Sequence, residues 1–147
     1  MSSSHAGTGP SFDSYHRNED LGLEECWRLL KAKETGRIAF LADARIQVFP
    51  VNYVVHGQSI FFRTSAYGAI GSVIRHQAAS FQIDEFDDFL QAGWSVLVTG
   101  QAQMVDDAAL LNEIWMSRRP EPWADGLRTL YVRVLPERVT GRRVHPG

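Results

Sequence analysis

Residues 93–105, GWSVLVTGQAQMV, form the longest strict alternation in the chain. Trp94, Val96, Val98, Ala102 and Met104 share one parity, and Ser95, Leu97, Thr99, Gln101 and Gln103 share the other. This is the period of a strand with one buried face. A strand this long cannot stay flat, and Gly100 stands where it must bend. Long bent strands are what a closed sheet needs, so this segment points to a barrel rather than to a helical or layered fold.

The other periodic segments agree with that reading. Residues 23–34 carry Leu23, Cys26, Trp27 and Leu30 on one helical stripe, with Gly36 placed to end the helix. Residues 37–42 read as a strand with Ile38 and Phe40 on one face, followed by a turn at Asp43-Ala44. Residues 45–55 read as a second strand interrupted at Pro50. A proline there marks an edge, a bulge or a change of pairing. A turn at His56-Gly57 leads to the strand 59–63, and a short helix is expected over 66–75. Residues 78–84 read as a strand with Ala79, Phe81 and Ile83 inward, running into an acidic loop of Glu85, Asp87 and Asp88 with Phe86, Phe89 and Leu90. Asp106-Asp107 caps a helix over 108–116, residues 117–126 are a polar loop, and 127–136 form the last strand before a tail, 137–147. Neighbouring strands are joined by short turns, so the sheet is expected to be antiparallel: a mainly β fold with short helices, closed as a six-stranded barrel.

Composition bounds the function. The 147 residues suffice for one domain, placed at 21–147 behind a Ser-, Gly- and His-rich arm, 1–20, read as disordered. A net charge of −2 gives no bulk attraction for nucleic acid or an anionic membrane. No apolar run reaches the length of a membrane span, and a cytoplasmic location is expected by default. Cys26 is the only cysteine and packs as a small hydrophobe, and the five histidines are scattered, so no metal site is indicated. The recognised spacings of nucleophile, zinc, P-loop and dinucleotide motifs do not occur, so no catalytic residue is assigned. An enzyme of this kind would draw its chemistry from a bound organic cofactor.

Residues 50–72 are where such a cofactor could sit. Thr64 and Ser65 stand at the start of the short helix, whose free N–H groups suit an anion, and Arg63 adds a full charge. The same residues also fit an ordinary capped helix with Arg63 paired to a carboxylate. Gly68 and Gly71 weaken that helix by roughly 1 kcal/mol each. They fit either close approach of a ligand or loose, turn-like structure.

The segments GRIAF, PVNY, IFFRTS, ASFQIDEFD, GWSVLVTGQA and VTGRR occur in this order between Leu23 and Arg143. In this the chain resembles the pyridoxamine 5′-phosphate oxidase-like proteins, the flavin-binding split β-barrels. The resemblance implies a homodimer with two cofactor sites at the subunit interface and an oxidoreductase acting on a small molecule. It implies FMN as cofactor, with the deazaflavin F420 as the alternative. Some relatives bind haem or have no known ligand, which leaves a non-catalytic binding protein as the other reading, with His56 or His76 as haem ligand. By resemblance, Val51, Asn52 and Tyr53 lie along the flavin ring, and Phe62, Arg63, Thr64 and Ser65 meet ring, ribityl chain and phosphate. Ala69 and Ile70 belong to the same cofactor segment, and Trp94 and Ser95 close the site from the partner subunit. Asp84 and Asp87 are expected to pair with arginines.

Relatives commonly read R-T-x-x-G-x-K-L, and the lysine position is Ala69 here. One lost charge-assisted phosphate contact costs about 1.5–3 kcal/mol, roughly ten- to a hundredfold in affinity. Arg63, Arg75, Thr64, Ser65 and the helix start remain as phosphate partners. Arg143-Val144-His145 repeats the R-x-H spacing of the family's pyridoxal-binding motif, but in a terminal tail it reads as chance.

Overall fold

The computed structural model describes residues 16–65, 76–115 and 129–146. The expected helix over 66–75, the loop 117–126 and residues 1–15 of the arm lie outside the described residues, as do Ala69, Ile70 and Arg75. Chain order is β1 (His16–Leu21), α1 (Leu23–Ala32), β2 (Thr35–Ala42), β3 (Arg45–His56), β4 (Ser59–Ser65), β5 (His76–Asp87), β6 (Ala92–Val105), α2 (Ala108–Trp115) and β7 (Thr129–Pro146). Every pairing is antiparallel. The strands run β7-β4-β3-β2-β5-β6, and a β6–β7 pairing closes the ring, which makes the expected six-stranded split barrel. Among the described residues, no helix is long and apolar enough to cross a membrane.

Alternation along each strand fills the barrel. Ile38 and Phe40 of β2, Val51 and Tyr53 of β3, Ile60 and Phe62 of β4, Ala79, Phe81 and Ile83 of β5, Val96 and Val98 of β6, and Val132 and Val134 of β7 are all buried in one cluster. Full burial of side chains of this size contributes about 1.5–3 kcal/mol each. Cys26, Leu29 and Leu30 of α1 pack against the same cluster. Leu23 does not follow its expected stripe and is 59% exposed, because Leu29 takes a place on the buried face instead. Burial pushes the Cys26 thiol up, which keeps it protonated and unreactive. On the outer face α2 covers a second cluster, in which Ile114 and Trp115 pack on Phe61, with Val54 and Tyr131 beside them. Asp107 Oδ1 accepts from the N–H groups of Ala109 and Leu110 at 3.0 and 3.2 Å, the expected N-cap.

The bend in β6 falls at Gly100. Thr99 pairs with Arg138 but Gly100 with Pro136, so Glu137 is the extra residue of a β-bulge. A Cβ at Gly100 would lie 2.0 Å from the Leu135 carbonyl oxygen, so only glycine fits.

Several boundaries differ from expectation. Residues 16–20, read as part of a disordered arm, belong to β1, which pairs with β7 from His16↔Pro146 to Leu21↔Gly141. The tail is therefore strand as well, and β7 extends to Pro146 between β1 and β6. Arg143 and His145 are thus held in a sheet, with Arg143 Nη2 3.6 Å from Glu25 and His145 Nε2 3.2 Å from Glu19. The β3–β4 turn is Gly57-Gln58 rather than His56-Gly57. Both residues have positive φ, as a two-residue hairpin turn demands, and His56 pairs with Ser59. Gly36 does not end α1 but lies in β2, where Phe81 crosses it so closely that a Cβ would meet Cζ at 2.3 Å. Glu85 and Asp87 continue β5, so the acidic loop is shorter than read.

Candidate functional site

Pro50 does not interrupt β3, which is continuous, but the change of pairing comes just after it. β3 pairs with β2 from Arg45 to Asn52 and with β4 only from Tyr53 to His56. β4 meanwhile follows β7 through Ser65↔Thr129. Beyond the Tyr53–Phe62 pair, β3 and β4 therefore part, which opens the split of the barrel. A cavity of about 460 Å³ lies there, lined by Glu34, Thr35, Asn52, Tyr53, Val54, Arg63 and Trp115. That volume falls in the range of small-molecule sites.

Strand parity decides what each predicted residue can offer. The side chains of Val51, Tyr53 and Phe62 are buried in the barrel core, and Tyr53 also lines the cavity. Tyr53 is further committed. Its hydroxyl donates to the Leu30 carbonyl at 2.6 Å, its ring meets Phe81 edge-on at 4.7 Å, and its N–H donates to the Glu34 carbonyl at 2.9 Å. Burial pushes its phenol pKa up. Tyr53 thus ties α1 and the start of β2 to the wall of the split. Replacing Tyr53 by phenylalanine leaves the Leu30 carbonyl without its partner. The expected loss is about 1–2 kcal/mol of unfolding free energy, measured by urea denaturation.

Asn52 and Arg63 have the opposite parity and line the cavity itself. The Arg63 Nη1 atom is buried and has no hydrogen-bond partner among the described residues. A guanidinium is always charged, and leaving one of its donors desolvated and unpaired is costly, so this position favours an anionic acceptor. Asn52 is held from β2, where Thr35 pairs with it in register and donates from Oγ1 to Asn52 Oδ1 at 2.9 Å. Thr64 follows Arg63 on β4 and is half-buried. Ser65 ends β4.

Trp94 and Ser95 do not line this cavity. On β7 they face Arg143 and Arg142, whereas Arg63 stands opposite Tyr131. Trp94 instead contacts Lys33, one of the residues lining a second cavity of about 600 Å³ formed by residues 32–37 with Pro50 and Asp84. Lys33 Nζ lies 5.9 Å from the Trp94 ring. The two cavities share Glu34 and Thr35. Asp84 pairs with Arg37 at 3.1 Å, as expected. Asp87 instead accepts from the Leu90 N–H at 3.0 Å and holds the loop. His56 Nε2 lies 3.6 Å from Glu113 Oε1, and His76 opens β5. Among the described residues, no group of three or more His, Cys, Asp or Glu is placed to hold a metal. Glu34, Thr35 and Trp115 are site residues without a local sequence signal. They come from the loop after α1, the start of β2 and the end of α2.

The sequence model of pyridoxamine 5′-phosphate oxidase matches residues 23–143. The chain belongs to that family. An uncharacterized protein of Mycobacterium tuberculosis is 30% identical over 130 residues, covering 85% of this chain and 84% of its own. The FAD binding protein from Mycobacterium smegmatis has a similar structure, with a TM-score of 0.71 and 37% identity over 85% of this chain and 98% of its own. A conserved protein of unknown function from Corynebacterium diphtheriae gives a TM-score of 0.70 and 26% identity over 85% of this chain and 96% of its own. The matched residues, 23–143, include every residue that lines the cavity, from Glu34 to Trp115, so the split falls within the matched region.

Proposed function

We propose that this chain is a flavin-dependent oxidoreductase acting on a small molecule, with the flavin at the split between β3 and β4. The observation that carries this reading is Arg63, whose buried Nη1 meets no acceptor among the described residues at the wall of a ligand-sized cavity. A phosphate supplies that acceptor, and Arg63 neutralises part of its charge. Asn52 offers a hydrogen bond from β3, and Trp115 gives an apolar surface against which an aromatic ring can pack. The flavin, when bound, supplies two-electron transfer at its ring, and the chain's residues bind it, orient it and exclude water. FMN is the leading cofactor and F420 the alternative; the relative described as FAD-binding adds support for a flavin.

A homodimer completes the reading: Trp94 and Ser95 do not line the Arg63 cavity of their own chain, and by the family resemblance they close the site of a second copy. The exposed apolar residues Leu41, Ile46 and Val48 on the β2–β3 hairpin offer surface for that contact. Light scattering is expected to give twice the 16.5 kDa chain mass.

The test is the visible spectrum of the purified protein, followed by fluorescence titration with FMN, FAD and F420 in turn. Binding of a flavin or F420 below high micromolar concentration is the expected result. A colourless protein that binds none of them contradicts the proposal and favours the non-catalytic alternative.

A further inference from the structure

We infer that Thr35 is a positioning residue that fixes the Asn52 amide with its Nδ2 donor toward the cavity, so that Asn52 meets a hydrogen-bond acceptor of the ligand. The inference rests on the flavin reading and goes beyond it by assigning the polarity of the Asn52 wall. Thr35 is the first paired residue of β2, directly across from Asn52. It cannot drift. The neighbouring Gly36 lies flush under the Phe81 ring, and the preceding Glu34 carbonyl accepts from the Tyr53 N–H at 2.9 Å. The Thr35 hydroxyl donates to Asn52 Oδ1 at 2.9 Å. An amide has one acceptor end and one donor end, so engaging the oxygen leaves the NH₂ group as what the side chain presents. Both residues line the same cavity as Arg63. Asn52 and Arg63, on the two strands that part, are then both donors into a cavity that Glu34 also lines. The ligand class that suits them carries an anion at one end and a carbonyl oxygen or unprotonated ring nitrogen at the other.

The prediction is tested with Thr35→Val, which keeps the shape and removes the hydroxyl, Thr35→Ser, which keeps the hydroxyl, and Asn52→Asp, which replaces the donor by an acceptor. FMN and riboflavin are titrated against each by fluorescence, and the visible absorption bands of the bound flavin are recorded. Thr35→Val is expected to weaken both ligands about three- to tenfold and to shift the absorption bands, while Thr35→Ser restores both. Asn52→Asp is expected to weaken both about tenfold or more. Equal weakening of FMN and riboflavin separates this wall from the phosphate end. A wild-type protein that binds flavin while Thr35→Val and Asn52→Asp bind it equally well, with unchanged bands, overturns the inference alone. Tighter binding by Asn52→Asp also overturns it, because the ligand would then be offering a donor. A wild-type protein that binds neither ligand overturns the flavin reading and this inference with it. Thermal melting of each variant without ligand serves as the folding control. Thr35 and Asn52 are both exposed there, so the melting temperatures are expected to match wild type.

Discussion

Replacing Phe81 by alanine is expected to remove about 3–5 kcal/mol of unfolding free energy, read as a lower urea midpoint at unchanged slope. Phe81 is fully buried at the centre of the barrel cluster. Its ring meets Tyr53 edge-on at 4.7 Å and closes over Gly36. Truncation loses the transfer energy of a large side chain and leaves a void that a closed sheet cannot collapse to fill. The effect is large against the roughly 5–15 kcal/mol that holds a typical domain folded. The contact with Gly36 also makes the effect non-additive. Gly36→Ala alone drives a methyl group against the Phe81 ring and is destabilising. In the Phe81→Ala background the same methyl enters the void, so the double variant is expected to be more stable than the sum of the singles implies. Strict additivity in that cycle would contradict the close packing of β2 on β5.

Replacing Arg63 by methionine is expected to separate stability from binding. The aliphatic stem is retained, but a charged group with a buried, unpaired donor is removed. The ligand-free protein is therefore expected to melt at or above the wild-type temperature, because removing a buried donor that meets no acceptor among the described residues relieves a desolvation cost. FMN affinity is expected to fall by about 1.5–3 kcal/mol, roughly ten- to a hundredfold. Riboflavin, which lacks the phosphate, is expected to bind the variant as it binds wild type. A structural role for Arg63 predicts the reverse pattern, a lower melting temperature with both ligands weakened together.

The barrel strands were legible in the sequence because one buried face imposes a period of two. Ile38 and Phe40, Ala79, Phe81 and Ile83, and Val96 and Val98 all point inward as that period requires. β1 was not legible, because HRNEDL has no apolar alternation to read. It is a strand through backbone pairing with β7 alone, and Asn18, Glu19 and Asp20 remain exposed. The same reason hid the second half of β7, where Arg138, Arg142, Arg143 and His145 obscure the pattern. The site divided along similar lines. Asn52 and Arg63 could be found from their motif, and parity then placed them on the cavity. Val51, Tyr53 and Phe62 carried the same motif, yet parity turned their side chains into the core. Thr35 and Trp115 were out of reach of local reading, since only the parting of β3 from β4 brings them to one cavity.

The claim at the centre of this account is that the parted strands hold a flavin by its phosphate end. A crystal structure of the protein grown with FMN tests it most directly. The predicted result is a phosphate oxygen within roughly 3 Å of Arg63 Nη1, with the ligand lying between Asn52 and Trp115. FMN bound elsewhere, or bound in the split with Arg63 Nη1 still lacking an acceptor, would contradict the account.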